Sequence, residues 1–232
     1  MVGLLSSDYG NLAMAEQAGL LAPAPASIPQ VSPRPVEDNS ALIAATQIGK
    51  DKEVPAAYII EMIKKIAWHE SRDNPLRRQD VEIDGEVKPV GVGRGALQFE
   101  GYYEQLDDDG KEMSFKDAVD RARNYYTDEL KKPVPQWLKD IKKGDDARSL
   151  SKNKQYALAI YDFRMKKGAD ISKVYKGEQT LLNFWENSHW AGPGRSGNPN
   201  STQKQRDVAE ERGESFANSM DLYKTDLNAT WN

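Results

Sequence analysis

Trp68-His69-Glu70-Ser71-Arg72-Asp73-Asn74-Pro75, followed about twenty residues later by Gly93-Arg94-Gly95-Ala96-Leu97-Gln98-Phe99-Glu100, decides how this chain is read. The first stretch closes an apolar run. Pro55 suits a first-turn position, and Ile59, Met62, Ile63, Ile66 and Ala67 recur at helical spacing, so a helix is expected over Ala56–Glu70. Glu70 follows Ile66 by four residues and Ala67 by three, which puts it at the edge of the apolar face. A carboxyl at such a place meets the negative end of the helix dipole and an apolar wall, and both favour the protonated acid. Next, Val81-Glu82-Ile83-Asp84-Gly85-Glu86-Val87 alternates around Asp-Gly, a strong hairpin signal. Gly91, Gly93 and Gly95 then predict a tight turn, with a second helix beginning near Ala96.

Outward from this centre the chain divides into an arm and a domain. Residues 1–38 form a proline-dense N-terminal arm, with Ala22-Pro23-Ala24-Pro25 and Pro33-Arg34-Pro35 reading as extended linker. The short apolar groups Leu4-Leu5 and Leu20-Leu21 make the arm an expected docking segment. Residues 39–232 read as one mainly helical domain. Asp38-Asn39-Ser40 can cap a helix over Ala41–Ile48. Ser114 opens a helix over Ala118–Leu130, and Pro133 and Pro135 precede a short one over Trp137–Ile141. Ser149 or Ser151 starts another that ends near Gly168; Gln179–Trp190 and Gln203–Leu222 complete the set.

Glu-Ser shortly before Asn-Pro, with Gly-x-Gly-x-Leu-Gln-Phe beyond, resembles the lytic transglycosylases and goose-type lysozymes. Gly93–Glu100 looks most like the peptidoglycan-cleaving domains carried in bacteriophage virions. The resemblance spans roughly residues 55–195 and implies an α+β lysozyme-like fold: a helical body, one small β-hairpin and a substrate groove. It implies cleavage of the β-1,4 bond between N-acetylmuramic acid and N-acetylglucosamine, with Glu70 as general acid/base and no cofactor or metal. Gln98 would lie on the groove floor, and Ser71 and Phe99 beside the substrate. Tyr161, in Ala157-Leu158-Ala159-Ile160-Tyr161, matches the tyrosine of the transglycosylase Ala-Leu-Ala-x-Tyr motif, although Asp162-Phe163-Arg164 departs from its Asn-x-Gly continuation.

A hydrolase also needs a base or nucleophile across the bond, roughly 5–9.5 Å from the acid. Asp80, ten residues after Glu70, is the best placed for that role, with Glu100 behind it. A transglycosylase needs no second acid, because the substrate's own C6 hydroxyl closes a 1,6-anhydro ring. Tyr102, Tyr103 and Trp137 are further sugar-stacking candidates. His189, in His189-Trp190-Ala191-Gly192-Pro193-Gly194, is an expected groove residue beside a Gly-Pro turn. The rival chemistry is zinc-dependent: His69-Glu70-Ser71-Arg72-Asp73 matches His-Glu-x-x-His with Asp in the last place, and His189 would be a third ligand. Proline at 75 argues against it, since the helix should end before His69 and Asp73 can share a face.

Composition narrows the partners. Charged residues form 29% of the 232, the net charge is −4 and cysteine is absent, so neither nucleic-acid specificity nor a thiolate metal site is expected. No apolar run approaches the roughly 20 residues of a membrane span, and Met1–Asp8 does not read as a secretory signal. The expected partners are peptidoglycan glycan strands and, through the arm, other virion proteins. The expected setting is a phage particle made in the host cytoplasm and opening the wall during genome entry. A structural virion protein with an inactive lysozyme-like module is the alternative from a different class.

Overall fold

The structure, a computed structural model, describes residues 38–165, 168–189 and 202–230. The arm expected over residues 1–38 therefore lies, apart from Asp38, outside the described residues. Eight α-helices are present among them: α1 (Ser40–Lys52), α2 (Ala56–Ser71), α3 (Ser114–Asn124), α4 (Gln136–Lys139), α5 (Lys152–Met165), α6 (Ile171–Tyr175), α7 (Leu181–His189) and α8 (Gln203–Thr230). A π-turn, Tyr125–Glu129, continues α3, and a 3₁₀ turn, Ala147–Ser149, precedes α5. The protein is mainly helical. No described helix is long and apolar enough to cross a membrane.

The expected apolar stripe organises the core. Ile59, Met62, Ile63, Ile66 and Ala67 are all buried on α2. Against them pack Ala44, Ala45 and Ile48 of α1 and Ala157, Leu158 and Ile160 of α5. Ion pairs tie the outer helices to this core. Arg121 of α3 reaches the buried Asp162 of α5 at 2.6 Å, and Arg164 joins Asp51 of α1 to Glu129 of the π-turn.

Two small antiparallel hairpins interrupt the helices. In the first, β1 (Val81–Ile83) pairs with β2 (Glu86–Lys88), Ile83 opposite Glu86. Asp84 (φ +55°) and Gly85 (φ +78°) are both left-handed, the conformation that Asp-Gly favours in a two-residue turn. In the second, β3 (Gly93–Arg94) pairs with β4 (Phe99–Glu100), Arg94 opposite Phe99. The helix expected to begin near Ala96 does not form. Gly95 (φ +77°) and Gln98 (φ +50°) are left-handed, and Gln98 N–H donates to the Gly95 carbonyl at 3.3 Å, closing a turn. Among the remaining expectations, α6 is an addition, and α8 runs to Thr230 rather than Leu222.

The second hairpin is fastened from several sides. Gln79 pairs by backbone with Gly91 and Gly93, both at 2.9 Å, and Gly95 N–H donates to the Arg77 carbonyl at 2.8 Å. Arg94 is 4% exposed; it pairs with Asp146 at 3.3 Å and its guanidinium lies 4.3 Å from the Tyr102 ring centre. Gln155 of α5, fully buried, accepts from Ala96 N–H at 2.7 Å and donates to the carbonyls of Pro75 and Leu150, each at 3.0 Å.

At Gly95 two constraints coincide: the left-handed φ, and a position where a Cβ would stand 2.3 Å from Gln155 Oε1. Gly95→Ala should therefore destabilise the fold by about 3 kcal/mol, from backbone strain and displacement of a buried, bonded amide. A denaturation curve with a lowered midpoint and unchanged slope is the expected reading.

Candidate active site

The end of α2 is built to stop abruptly. Arg72 (φ +57°) and Asp73 (φ +59°) turn left-handed, and Arg72 N–H closes on the Trp68 carbonyl at 2.9 Å. Ser71, the last helical residue, is buried. Its hydroxyl donates to the Ala96 carbonyl at 2.9 Å, shares that proton with the Ala67 carbonyl at 3.2 Å, and accepts from Asn74 N–H at 3.1 Å. This side chain joins the two sequence motifs. It was expected beside the substrate, but its hydroxyl is committed to holding Glu70's helix against the glycine turn.

Glu70 itself faces a cavity of about 460 Å³, lined also by His69, Arg77, Gln79, Asp80, Gln98, Glu100, Trp185 and Arg212. Five parts of the fold contribute: the end of α2, the segment before β1, the β3–β4 hairpin, α7 and α8. The carboxyl is half-buried and accepts a hydrogen bond from the Trp185 indole N–H at 2.5 Å. Trp185 is held in turn by the ring of Phe216, stacked at 5.2 Å, and by the edge of His69 at 4.8 Å. Arg212 is half-buried here, and burial lowers its ionisation, against the opposing charges of Glu211 and Glu186.

The expected residues divide around this cavity. Glu70, Asp80 and Gln98 line it together. Asp80 is paired with the Arg77 guanidinium and is more than a third exposed. Gln98 is buried; its Nε2 donates to the Gly95 carbonyl at 2.7 Å, which orients the amide, and its Oε1 is a buried acceptor without a hydrogen bond. Glu100, the weaker second-acid candidate, is at the same cavity.

Phe99 and Tyr161 stand elsewhere. Phe99 is buried against Phe115, with ring centres 6.3 Å apart. Tyr161 is 1% exposed; its hydroxyl bonds Tyr126 at 2.7 Å and donates to Gln47 at 2.8 Å. Burial, followed by the Tyr126 bond, pushes its ionisation well above the usual phenol range. Both side chains are core members, and the expectation that they contact substrate is corrected accordingly. The departure at Asp162-Phe163-Arg164 has the same origin: Asp162 pairs with Arg121, Phe163 packs on Phe184 at 5.8 Å, and Arg164 binds Asp51 and Glu129. His189 ends α7, while its side chain and the turn expected over residues 190–194 lie outside the described residues.

The zinc arrangement does not fit these residues. Asp73 has left the helix, and its carboxylate accepts from the Tyr156 hydroxyl and from Lys152, the latter at 3.0 Å. His69 Nδ1 lies 3.1 Å from Ser219 Oγ on α8. Among the described residues no three His, Cys, Asp or Glu side chains are gathered for a metal.

A second cavity, about 470 Å³, opens beside Lys52, Arg164, Asp170 and Lys173. Its Arg164 is bound to Asp51 and Glu129, and its Asp170 caps α6 through Ser172 N–H at 3.0 Å. Those groups are committed to the fold, so the cavity of Glu70 is the candidate site. Trp185 and Arg212, which sequence reading missed, come from 115 and 142 residues beyond Glu70. The one local signal for Trp185 is its place beside Phe184 in a short apolar helix. A search of protein-family models, curated proteins and solved structures finds no match to this chain.

With its hydroxyl in the core, Tyr161 contributes stability rather than recognition. Tyr161→Phe should cost about 1–2 kcal/mol, since it leaves the buried Tyr126 hydroxyl and the half-buried Gln47 amide without this partner, and urea unfolding measures that loss.

Proposed function

We propose that this chain cleaves the β-1,4 bond between N-acetylmuramic acid and N-acetylglucosamine in peptidoglycan, with Glu70 as general acid and then general base. The observation that carries the proposal is a half-buried glutamate, fixed by an indole N–H, sharing one cavity with Asp80 and Gln98. The resemblance of the Glu70-Ser71 and Gly93–Glu100 segments to lytic transglycosylases and goose-type lysozymes supports the same reading. So does the Ser71–Ala96 hydrogen bond, which gives the separation of the two segments a physical purpose.

In the proposed reaction Glu70 gives its proton to the glycosidic oxygen as the C1–O bond breaks, and positive charge builds at C1. The carboxylate then takes a proton from the group that attacks C1. Asp80 is the obvious base for an attacking water, but one of its carboxylate oxygens is already bound by Arg77. Attack by the substrate's own C6 hydroxyl needs no second carboxylate. Ring closure to a 1,6-anhydro end is therefore the favoured outcome. The proposed setting is a phage particle, the glycan strands being the substrate and the N-terminal arm the contact to other virion proteins.

Glu70→Gln keeps the size and the acceptor for Trp185 but removes the transferable proton. It should lower peptidoglycan cleavage by about 10²–10⁴-fold in zymograms, the usual worth of a positioned acid. An inert parent protein would instead favour a structural virion role. Asp80→Asn separates the two ways of attack: cleavage should persist within about threefold if the C6 hydroxyl attacks, and fall as far as Glu70→Gln if Asp80 activates water.

A further inference from the structure

We infer that α8 is part of the active site, holding the Glu70 carboxyl through a series of contacts that runs Ser219 and Phe216 to His69 and Trp185, and from Trp185 to Glu70. The inference rests on the reading of Glu70 as the acid. It adds positioning residues that lie outside the segment resembling known wall-cleaving enzymes.

Among its described side chains α8 presents an inward stripe. Arg212, Phe216, Ser219 and Tyr223 recur at three and four residues, so they share a face. Phe216, Ser219 and Tyr223 are buried, while Glu214, Ser215, Ala217, Asn218, Asp221 and Leu222 are exposed. Each stripe residue meets the site or its frame. Tyr223 hydroxyl donates to Glu61 at 2.9 Å, and its ring meets Trp68 edge-on at 5.9 Å, which fastens α8 along α2. Ser219 Oγ lies 3.1 Å from His69 Nδ1. Phe216 touches both His69, at 4.9 Å between ring centres, and Trp185, at 5.2 Å with the ring planes 29° apart. Arg212 completes the stripe at the cavity.

The physical need lies with Glu70. A glutamate in the last turn of a helix has several accessible rotamers, and an acid that wanders cannot deliver its proton along one line. The Trp185 indole N–H selects one orientation. That N–H is only as well aimed as the ring bearing it, and the ring packs against Phe216 and His69, which also touch each other. Remove the backing from α8 and the indole gains freedom, which Glu70 inherits. α8 thus acts through Trp185 and has no need to touch the sugar.

The first test reads the geometry without substrate. The chain holds five tryptophans; in ¹⁵N-tryptophan-labelled full-length protein, the indole signal lost in Trp185→Phe belongs to Trp185. In the parent this proton should exchange slowly and move in Glu70→Gln. In Phe216→Ala and Ser219→Ala it should exchange faster, and Ser219→Thr should restore the parent signal. An unchanged Trp185 signal in both α8 variants overturns the inference, whatever the enzyme does.

The second test reads turnover on soluble glycan fragments. Trp185→Phe should lower kcat by about ten- to a hundredfold, the worth of one hydrogen bond to a charged group, with KM held within about twofold. Ser219→Ala should lower kcat less, and adding it to Trp185→Phe should bring no further loss, because the two act in series. Multiplying losses, or losses confined to KM, contradict the series. Full activity in Glu70→Gln would sink the acid assignment separately, with the indole measurement still deciding the contact.

Discussion

The two peptide groups of Ala96 are the point on which the rest of this structure depends. The carbonyl accepts from Ser71, at the end of α2, and the N–H donates to Gln155, at the start of α5. Both partners are buried, so each bond is made away from water and would be expensive to lose. These bonds bring three distant segments to one place: the helix that carries Glu70, the glycine turn that carries Gln98, and the helix that crosses the core. Gly95 makes the approach feasible, because any side chain there would strike the Gln155 amide. The separation of the two motifs in the sequence is the trace of this junction.

From that junction the cavity follows. Glu70 precedes Ser71 by one residue, so fixing Ser71 fixes the helix end from which Glu70 projects. Gln98 follows Ala96 by two, and its left-handed backbone closes the turn beneath the cavity. The segment before β1 pairs with the same glycine strand through Gln79 and thereby brings Arg77 and Asp80 to the same cavity. α7 and α8 then supply Trp185 and its aromatic backing. Backbone hydrogen bonds thus fix the glycine turn at the cavity, and ring packing fixes Trp185, which bonds Glu70.

What sequence could show follows the range of the interactions. α2 was legible residue by residue, since a stripe of five apolar side chains at helical spacing has no other economical reading. The first hairpin was legible from Asp84-Gly85 because its turn type is set by two adjacent residues. Ala96-Leu97-Gln98 misled: a helix was expected to follow the glycine turn, while Gly95, Gln155 and the strand pairing of Arg94 with Phe99 extend the turn itself. Tyr161 misled in the opposite way. Its motif position suggested a groove residue, while the helix running on through Asp162-Phe163-Arg164 suited core packing; its burial, the Tyr126 hydroxyl and the Gln47 amide show it to be core. Trp185 carries no local mark beyond its place next to Phe184, and Arg212 carries none, because their roles exist only when α7 and α8 fold back on α2.

In the proposed reaction one carboxyl, aimed by the fold, cuts the glycan while the substrate supplies its own nucleophile. Mass spectrometry of the soluble products from purified peptidoglycan tests it most directly. The account predicts muropeptides ending in 1,6-anhydro-N-acetylmuramic acid, each one water lighter than the product of hydrolysis. Products ending in reducing N-acetylmuramic acid would contradict the intramolecular route and give Asp80 or Glu100 the role of activating water. Intact glycan would contradict the assignment of cleavage to Glu70 altogether.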